Sequence, residues 1–174
     1  MEIVIHQTHQ KIADFDEIFE YLKSNFTKSS VGIHVFPELF LCGYPLQDLC
    51  LQKSFITKYN RFLTELNSWL KSNIESSKCC LLMGGLKYDL TPEGLPISIR
   101  NIIYQFGAEQ TELTDVYTKR LLPNYDIFDE KKYFTAGDGP RVINLFGQNY
   151  GLLICEDMWA SNIHHFDPVQ DMSQ

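Results

Sequence analysis

The sequence lacks features that define several classes of protein. No apolar run approaches the roughly eighteen residues that a membrane-spanning helix needs. The N-terminus has no basic segment followed by a long apolar run, so we expect no secretory signal. Fifteen Lys and Arg against 22 Asp and Glu leave a formal charge of −7. That balance argues against an extended nucleic-acid surface. We therefore expect neither a membrane nor a nucleic acid among the partners.

The chain is also poor in paired cysteines and in clustered metal ligands. Its five cysteines are irregularly spaced, with no Cys-x-x-Cys, at Cys42, Cys50, Cys79, Cys80 and Cys155. This pattern favours a reducing, cytoplasmic compartment and leaves a thiol available for chemistry. The five histidines show no ligand spacing with Cys, Asp or Glu, so we expect no metal site.

The composition is that of an ordinary globular protein. The chain has 174 residues, of which 44% are hydrophobic and 21% charged. No repeat, low-complexity run or Gly/Ser-rich linker divides it. Length alone therefore suggests one domain.

The first half alternates strand-like and helix-like patterns. Short apolar runs predict buried strands at residues 3–5, 32–36 and 80–83. One predicted helix follows Asp14, which has Glu17 three residues later in capping-box spacing. A second runs from about residue 54 to 75 with apolar residues at a 3.6 period. This alternation predicts an α/β fold.

The second half has strand patterns without following helices. Residues 99–106 and 112–118 alternate like strands, and residues 141–146 and 150–155 predict a hairpin that turns at residues 147–149. A sheet with no helices after these strands leaves one of its faces poorly covered. We therefore expect exposed apolar surface on that side.

Three chemistry-bearing residues each follow a predicted strand: Glu38, Lys119 and Cys155. If they converge at one sheet edge, a carboxylate base, a cation and a thiol would suit acyl transfer from an amide or nitrile. Each residue alone also has an ordinary interpretation. Glu38 would be a solvated loop residue, Lys119 a surface lysine and Cys155 a small buried residue.

Four ordered motifs resemble a known family. They are Phe-Pro-Glu-Leu at 36–39 with Gly-Tyr-Pro at 43–45, Lys-Arg-Leu-Leu-Pro-Asn-Tyr at 119–125, Phe-Asp-Glu-Lys-Lys-Tyr-Phe at 128–134, and Cys-Glu-Asp-Met-Trp at 155–159. Together they resemble the carbon–nitrogen hydrolase (nitrilase) superfamily. Within it, they are most similar to the glutamine amidotransferase (glutaminase) domains of glutamine-dependent NAD synthetases. The resemblance implies an αββα sandwich, incomplete at the C-terminus because the sequence stops soon after the last motif.

The resemblance assigns roles to the three residues. Cys155 matches the nucleophile that attacks the glutamine carboxamide and forms a thioester. Glu38 matches the general base, and Lys119 the cation that holds the oxyanion. The backbone N–H of Glu156 matches the second oxyanion donor.

Five further residues keep two interpretations each. The resemblance places Glu130 beside the lysine, whereas the local sequence allows a solvated charged turn. Tyr125 and Phe128 match positions near the glutamine pocket, although aromatic residues suit a core equally. Tyr44 is expected either to order the loop behind Glu38 or to have only a packing role. For Trp159, packing is favoured over a place in the pocket wall.

The same resemblance suggests boundaries and partners. Residues 1–161 match part of a glutaminase domain, and residues 162–174 form an atypical tail. No Ser-Gly-Gly-x-Asp-Ser loop occurs. We therefore expect no cofactor in this chain, with ATP and deamido-NAD bound only in a synthetase domain. The expected partners are glutamine, a synthetase domain or subunit, and a second copy of the chain.

Two alternatives to this function remain. One is a free-standing amidase of the same superfamily that acts on another small amide. The other is a truncated, non-catalytic remnant that needs a partner.

Overall fold

The computed structural model describes residues 1–159, 164 and 166–172. Its strands are β1 (Ile3–Ile5), β2 (Gly32–Val35), β3 (Cys79–Leu90), β4 (Pro96–Gly107), β5 (Gln110–Thr118), β6 (Val142–Leu145) and β7 (Gln148–Gly151). Its α-helices are α1 (Phe15–Asn25), α2 (Lys53–Asn73), α3 (Glu130–Tyr133) and α4 (Pro168–Asp171). Short 3₁₀ helices cover Gln47–Leu51 and Cys155–Met158.

The main sheet has five strands in the order β1-β2-β3-β4-β5. The first three strands are parallel, and β3, β4 and β5 are antiparallel. Parallel neighbours need a crossover connection, which α1 and α2 supply, whereas the antiparallel strands are joined by short turns. The predicted α/β fold is confirmed, and the change of pattern along the sequence marks the change of strand direction.

The two long helices cover one face of this sheet. At the start of α1, the Asp14 carboxylate accepts a hydrogen bond of 3.1 Å from the backbone N–H of Glu17, as the capping-box spacing predicts. The apolar stripe of α1 buries Ile18 and Leu22. These side chains join α2 and alternate residues of β3 in one hydrophobic cluster.

The opposite face carries the start of a second β layer. Cys80 and Leu82 of β3 belong to a separate hydrophobic cluster, together with Ile143, Leu145 and Ile154 from the β6–β7 region. The cover is partial, because an apolar groove of about 340 Å³ remains between this region and the sheet. The layers therefore run helix, sheet, partial second sheet.

The predicted hairpin exists, but its boundaries are corrected. It turns at Phe146 and Gly147, both with positive φ (51° and 85°), where we predicted residues 147–149. This is the backbone of a tight two-residue turn. The predicted second strand, 150–155, is also wrong, because β7 ends at Gly151. The backbone N–H of Ile154 donates a hydrogen bond of 3.0 Å to the Asp157 side chain, so this N–H is unavailable for strand pairing.

The described part of the tail folds back onto the domain. Its helix α4 places Asp171 2.7 Å from Arg120, next to Lys119. The division at residue 161 stays a prediction, since residue 161 and His165 lie outside the described residues. Among the helices described, none has both the length and the apolar character to cross a membrane.

Candidate active site

Glu38 lies in the loop that leaves β2, close against β3. This approach depends on Gly84, where an added Cβ would lie 2.4 Å from the carbonyl oxygen of Pro37 and 2.5 Å from the N of Leu39. The Glu38 Oε1 atom accepts hydrogen bonds from Lys119 Nζ (2.7 Å) and Asn101 Nδ2 (2.6 Å). The tight packing of loop on strand thus fixes where the carboxylate stands.

Lys119 follows β5 and is fully buried. Besides Glu38, its Nζ contacts both carboxylate oxygens of Glu130, at 3.0 and 2.8 Å. Burial would lower the pKa of Lys119, but the two carboxylates outweigh burial and raise it. The Lys119 ammonium therefore forms ion pairs with two carboxylates. Since the side chain is buried, the interpretation of Lys119 as a surface residue is wrong.

Glu130 stands at the start of α3 and is only 4% exposed. The Tyr44 hydroxyl donates to its Oε1 at 3.1 Å, so Tyr44 contacts the cluster directly. The pKa of Glu130 is raised, because burial and the charge of Glu38 outweigh the opposing effect of Lys119. Glu130 is thus part of the buried cluster rather than of a solvated turn.

Cys155 begins the 3₁₀ helix with a positive φ of 44°. Left-handed backbone is uncommon for a residue with a Cβ, and here it marks a sharp turn that leaves the side chain exposed. Burial of the thiol raises the pKa of Cys155, and so do the charge and the hydrogen bond of Glu38, against the lowering effect of Lys119. The Cys155 thiol therefore interacts electrostatically with both Glu38 and Lys119.

A pocket of about 300 Å³ joins these groups. Its lining comprises Glu38, Tyr44, Pro123, Tyr125, Phe128, Glu130, Cys155, Glu156 and Trp159. Lys119 does not line it and lies behind the two carboxylates. Every other residue that the sequence suggested for the site contributes to the wall.

The aromatic residues of the pocket are not core residues. Tyr125 and Phe128 pack edge to face, with ring centroids 5.7 Å apart, and Tyr125 is 38% exposed. Trp159 is 66% exposed and lines the pocket, so the packing interpretation favoured for it is wrong. The short 3₁₀ helix ends just before Trp159, which carries the side chain away from the core.

Glu156 contributes its side chain as well as its backbone. It is 6% exposed, accepts a bond of 2.8 Å from the Tyr125 hydroxyl and lies 2.8 Å from His164 Nε2. The sequence analysis had considered only its backbone N–H. The carboxylate links the pocket wall at Tyr125 to the tail.

Sequence reasoning missed Asp157, which holds the turn at Cys155 in place. Its buried carboxylate accepts four hydrogen bonds: from the backbone N–H groups of Ile154, Arg120 and Leu121, and from the Tyr117 hydroxyl. These bonds tie the turn at Cys155 to the chain around Lys119. The signal was present, since Asp157 lies within the Cys-Glu-Asp-Met-Trp motif, but no role had been assigned to it.

Asn101 was missed as well. It is 1% exposed in β4 and donates to Glu38. The available signal was a polar residue at an alternate position of the predicted strand, between Ile99 and Ile103. Across residues 1–159, 164 and 166–172, no three His, Cys, Asp or Glu side chains are grouped as metal ligands would be.

The fold and the pocket define a class of protein. Residues 5–166 match the model of the carbon-nitrogen hydrolase family, and the chain belongs to that family. Among curated relatives, a glutamine-dependent NAD(+) synthetase of Thermotoga maritima is 29% identical over 163 residues, which are 91% of this chain and 26% of the relative. That of Acinetobacter baylyi is 30% identical over 135 residues, which are 78% of this chain and 22% of the relative.

Solved structures agree with this assignment. A glutamine-dependent NAD+ synthetase from Acinetobacter baumannii superimposes with a TM-score of 0.73 and 26% identity, over 99% of this chain and 30% of its own. An amidase of the nitrilase superfamily from Nesterenkonia superimposes with a TM-score of 0.68 and 20% identity, over 91% of this chain and 56% of the amidase. This chain therefore spans about a quarter of the length of the curated synthetases that it matches.

Proposed function

We propose that this chain hydrolyses the side-chain amide of glutamine and supplies ammonia for glutamine-dependent NAD synthesis. The observation that carries the proposal is the placement of Cys155, Glu38 and Glu130 in one pocket, with Lys119 directly behind the two carboxylates. The family and the synthetase relatives support the substrate class.

In the proposed reaction, Cys155 Sγ attacks the carboxamide carbon while Glu38 accepts the thiol proton. The carbonyl oxygen becomes an oxyanion, stabilised by the backbone N–H of Glu156 and the positive charge of Lys119. The tetrahedral intermediate collapses, the C–N bond breaks, and the proton held by Glu38 leaves with ammonia. A glutamyl thioester on Cys155 remains.

The second half of the reaction regenerates the enzyme. Glu38 takes a proton from water, the resulting hydroxide attacks the thioester carbonyl, and the C–S bond breaks. Glutamate leaves and the thiol recovers its proton. Because Lys119 lies behind the carboxylates, its first role is to balance part of the negative charge of Glu38 and Glu130, and it acts on the oxyanion through its positive charge.

Substrate recognition falls to the outer pocket. Tyr125 and Phe128 line it with two partly exposed rings, which suit the apolar stem of glutamine. We propose that they bind the substrate.

The partners and cofactors that we propose are suggested by the relatives. Those named glutamine-dependent NAD synthetase are about four times as long as the match, so we propose a synthetase domain or subunit as the recipient of ammonia. ATP and deamido-NAD would bind there and not in this chain. Association of two or more copies, in the cytoplasm, completes the proposal.

The test is ammonia release from glutamine by the chain, compared between wild type and Cys155→Ala. We expect the substitution to reduce release at least about a hundredfold, because the nucleophile is lost. Cys80→Ala is the control, since it removes a buried thiol from outside the pocket. Equal release by wild type and Cys155→Ala would contradict the proposal and favour a non-catalytic remnant.

A panel of small amides tests the second candidate, a free-standing amidase. The observation in its favour is the fold similarity to the Nesterenkonia amidase. Faster ammonia release from short aliphatic amides than from glutamine would support it. Preference for glutamine would reject it.

A further inference from the structure

We propose that Asn101 is a positioning residue that holds the Glu38 carboxylate in a single orientation toward Cys155. The proposal rests on the proposed function, because it assigns Asn101 a task in the same thiol–carboxylate pair. Asn101 touches neither the pocket nor the thiol, so it acts through Glu38.

The orientation of the Asn101 amide is fixed by chemistry. A carboxylate only accepts hydrogen bonds, so the group 2.6 Å from Glu38 Oε1 must be the amide nitrogen. The Asn101 Oδ1 atom, at the other end of the amide, is buried without a hydrogen-bond partner among the described residues. A buried acceptor left unpaired is unfavourable. The position of the side chain therefore satisfies the Nδ2 donor, which binds Glu38, and leaves the Oδ1 acceptor unpaired among the described residues.

The backbone that carries Asn101 is anchored on both sides. Asn101 pairs with Leu86 of β3, and its carbonyl oxygen accepts a hydrogen bond of 2.9 Å from the backbone N–H of Lys119. Asn101 thus stands on a strand that is paired on both sides, and it contacts Glu38 and Lys119. A donor on such a rigid strand fixes direction better than a donor on a flexible side chain.

Lys119 cannot supply that direction alone. Its ammonium is a compact charge with rotatable donors, and it also contacts both oxygens of Glu130. Lys119 and Asn101 both donate hydrogen bonds to the same oxygen of Glu38, Oε1. Apart from the Cys155 thiol, which hydrogen-bonds to Glu38, no described residue donates to Oε2, and that oxygen is left for the thiol proton.

The test follows the pH dependence of Cys155 alkylation by iodoacetamide, resolved by peptide mass spectrometry. We compare wild type, Asn101→Leu and Asn101→Ala. The amide donor partly neutralises the Glu38 charge next to the thiol. Its loss should therefore move the midpoint of Cys155 alkylation upward by about half a pH unit or more.

Two comparisons separate this from general destabilisation. Gln105→Leu removes another buried amide of β4, which donates to the carbonyl of Gly107 and not to Glu38, and it should leave the midpoint unchanged. In a Glu38→Gln background, Asn101→Leu should also have no effect, because the residue through which it acts has lost its charge. An unchanged midpoint in Asn101→Leu, or an equal shift in both backgrounds, would overturn the proposal.

A measurement without substitution at Asn101 covers the case in which neither variant folds. In a ¹⁵N correlation spectrum, one Asn101 side-chain proton of wild type should be shifted downfield by the carboxylate. The shift should collapse in Glu38→Gln, and unchanged Asn101 signals would reject the proposal.

This outcome is independent of turnover. If Cys155→Ala releases ammonia like wild type, the proposed function fails, yet the alkylation series still decides whether Asn101 acts through Glu38.

Discussion

At the residue scale, the site is built from more negative than positive charge. Two carboxylates, Glu38 and Glu130, share the single ammonium of Lys119. Burial first, and then the negative charge of Glu38, raise the pKa of the neighbouring Cys155 thiol, which thus keeps its proton at neutral pH. The nucleophile that we propose therefore needs a base at the moment of attack rather than a preformed thiolate, and we propose Glu38 for that task.

This electrostatic arrangement predicts opposite effects of Glu38→Gln on two measurements. Removing the negative charge should lower the pKa of Cys155 and move the midpoint of its iodoacetamide alkylation to lower pH. Ammonia release from glutamine should fall at least about a hundredfold, since the base is lost. Simultaneous loss of alkylation and of turnover would instead indicate that the site had collapsed.

The control for this pair of measurements is Glu112→Gln. Glu112 is a surface glutamate that pairs with Lys71 outside the pocket. Neither the alkylation midpoint nor the turnover should change. The comparison is made within Cys155 rather than against the other four cysteines, because those are buried and would label slowly for lack of access alone.

A second prediction at this scale concerns His6, which lies 3.0 Å from His34 and 2.8 Å from the Tyr21 hydroxyl. Burial and the charge of His34 hold the pKa of His6 below its usual value. Around and below pH 6.5 the unfolded chain therefore binds this proton before the folded chain does. The free energy of unfolding should decrease as the pH falls through that range, and recover as it rises.

Urea unfolding at a series of pH values measures this effect. His6→Phe should flatten the pH dependence, because phenylalanine keeps a ring against Phe36 but cannot bind a proton. His9→Phe, at an exposed histidine, is the matched control. If both variants retain the slope of wild type, His6 is not its source.

At the element scale, the site depends on where strands end and turns begin. Glu38 follows β2, Lys119 follows β5 and Cys155 opens a 3₁₀ helix. The sequence placed Glu38 and Lys119 correctly after strands. It was wrong about the strand before Cys155, because the Asp157 carboxylate binds the Ile154 N–H and ends the pairing. Apolar alternation does not show that a nearby side chain captures a backbone donor.

Asp157→Ala tests how strongly this turn is held. The substitution leaves the Tyr117 hydroxyl and three backbone N–H groups without their acceptor. Since each buried unpaired donor costs about 1–3 kcal/mol, we expect the free energy of unfolding to fall by about 3 kcal/mol or more. Urea titration followed by circular dichroism measures it.

Asp129→Ala is the matched control for that experiment. Asp129 is exposed, and its side chain makes no capping bond to α3. A change within about 0.5 kcal/mol is expected at such a position. Equal losses in the two variants would show that the Asp157 hydrogen bonds contribute little.

At the scale of the whole molecule, one side of the sheet is incompletely covered. The groove between the sheet and the β6–β7 region is lined mainly by apolar residues. Next to it lies the short edge strand β1, where Ile3 is 50% and Ile5 75% exposed. Exposed apolar edge strands favour pairing between chains.

Ile5→Lys should therefore slow aggregation of the chain on mild heating, measured by light scattering at fixed concentration. A charge on an edge strand opposes pairing with another strand. Ile127→Lys is the control, because Ile127 is 86% exposed but lies in a loop. If both substitutions slow aggregation equally, net charge rather than the β1 edge is responsible.

The sequence by itself determined the α/β class, the two long helices and most strands, because these follow from local periodicity and capping, as at Asp14 and Glu17. It also supplied the ordered motifs and the family. Its candidates Glu38, Lys119 and Cys155 stand far apart in the chain, and nothing local brings them together.

Only the tertiary structure decided how these residues meet. The loop at Glu38 depends on its contact with Gly84, the burial of Lys119 on two distant carboxylates, and the turn at Cys155 on Asp157. Asn101 and Asp157 carry no local sign of their partners, which lie dozens of positions away. Hydrogen bonds between distant residues depend on how the chain packs, so spacing along the sequence does not reveal them.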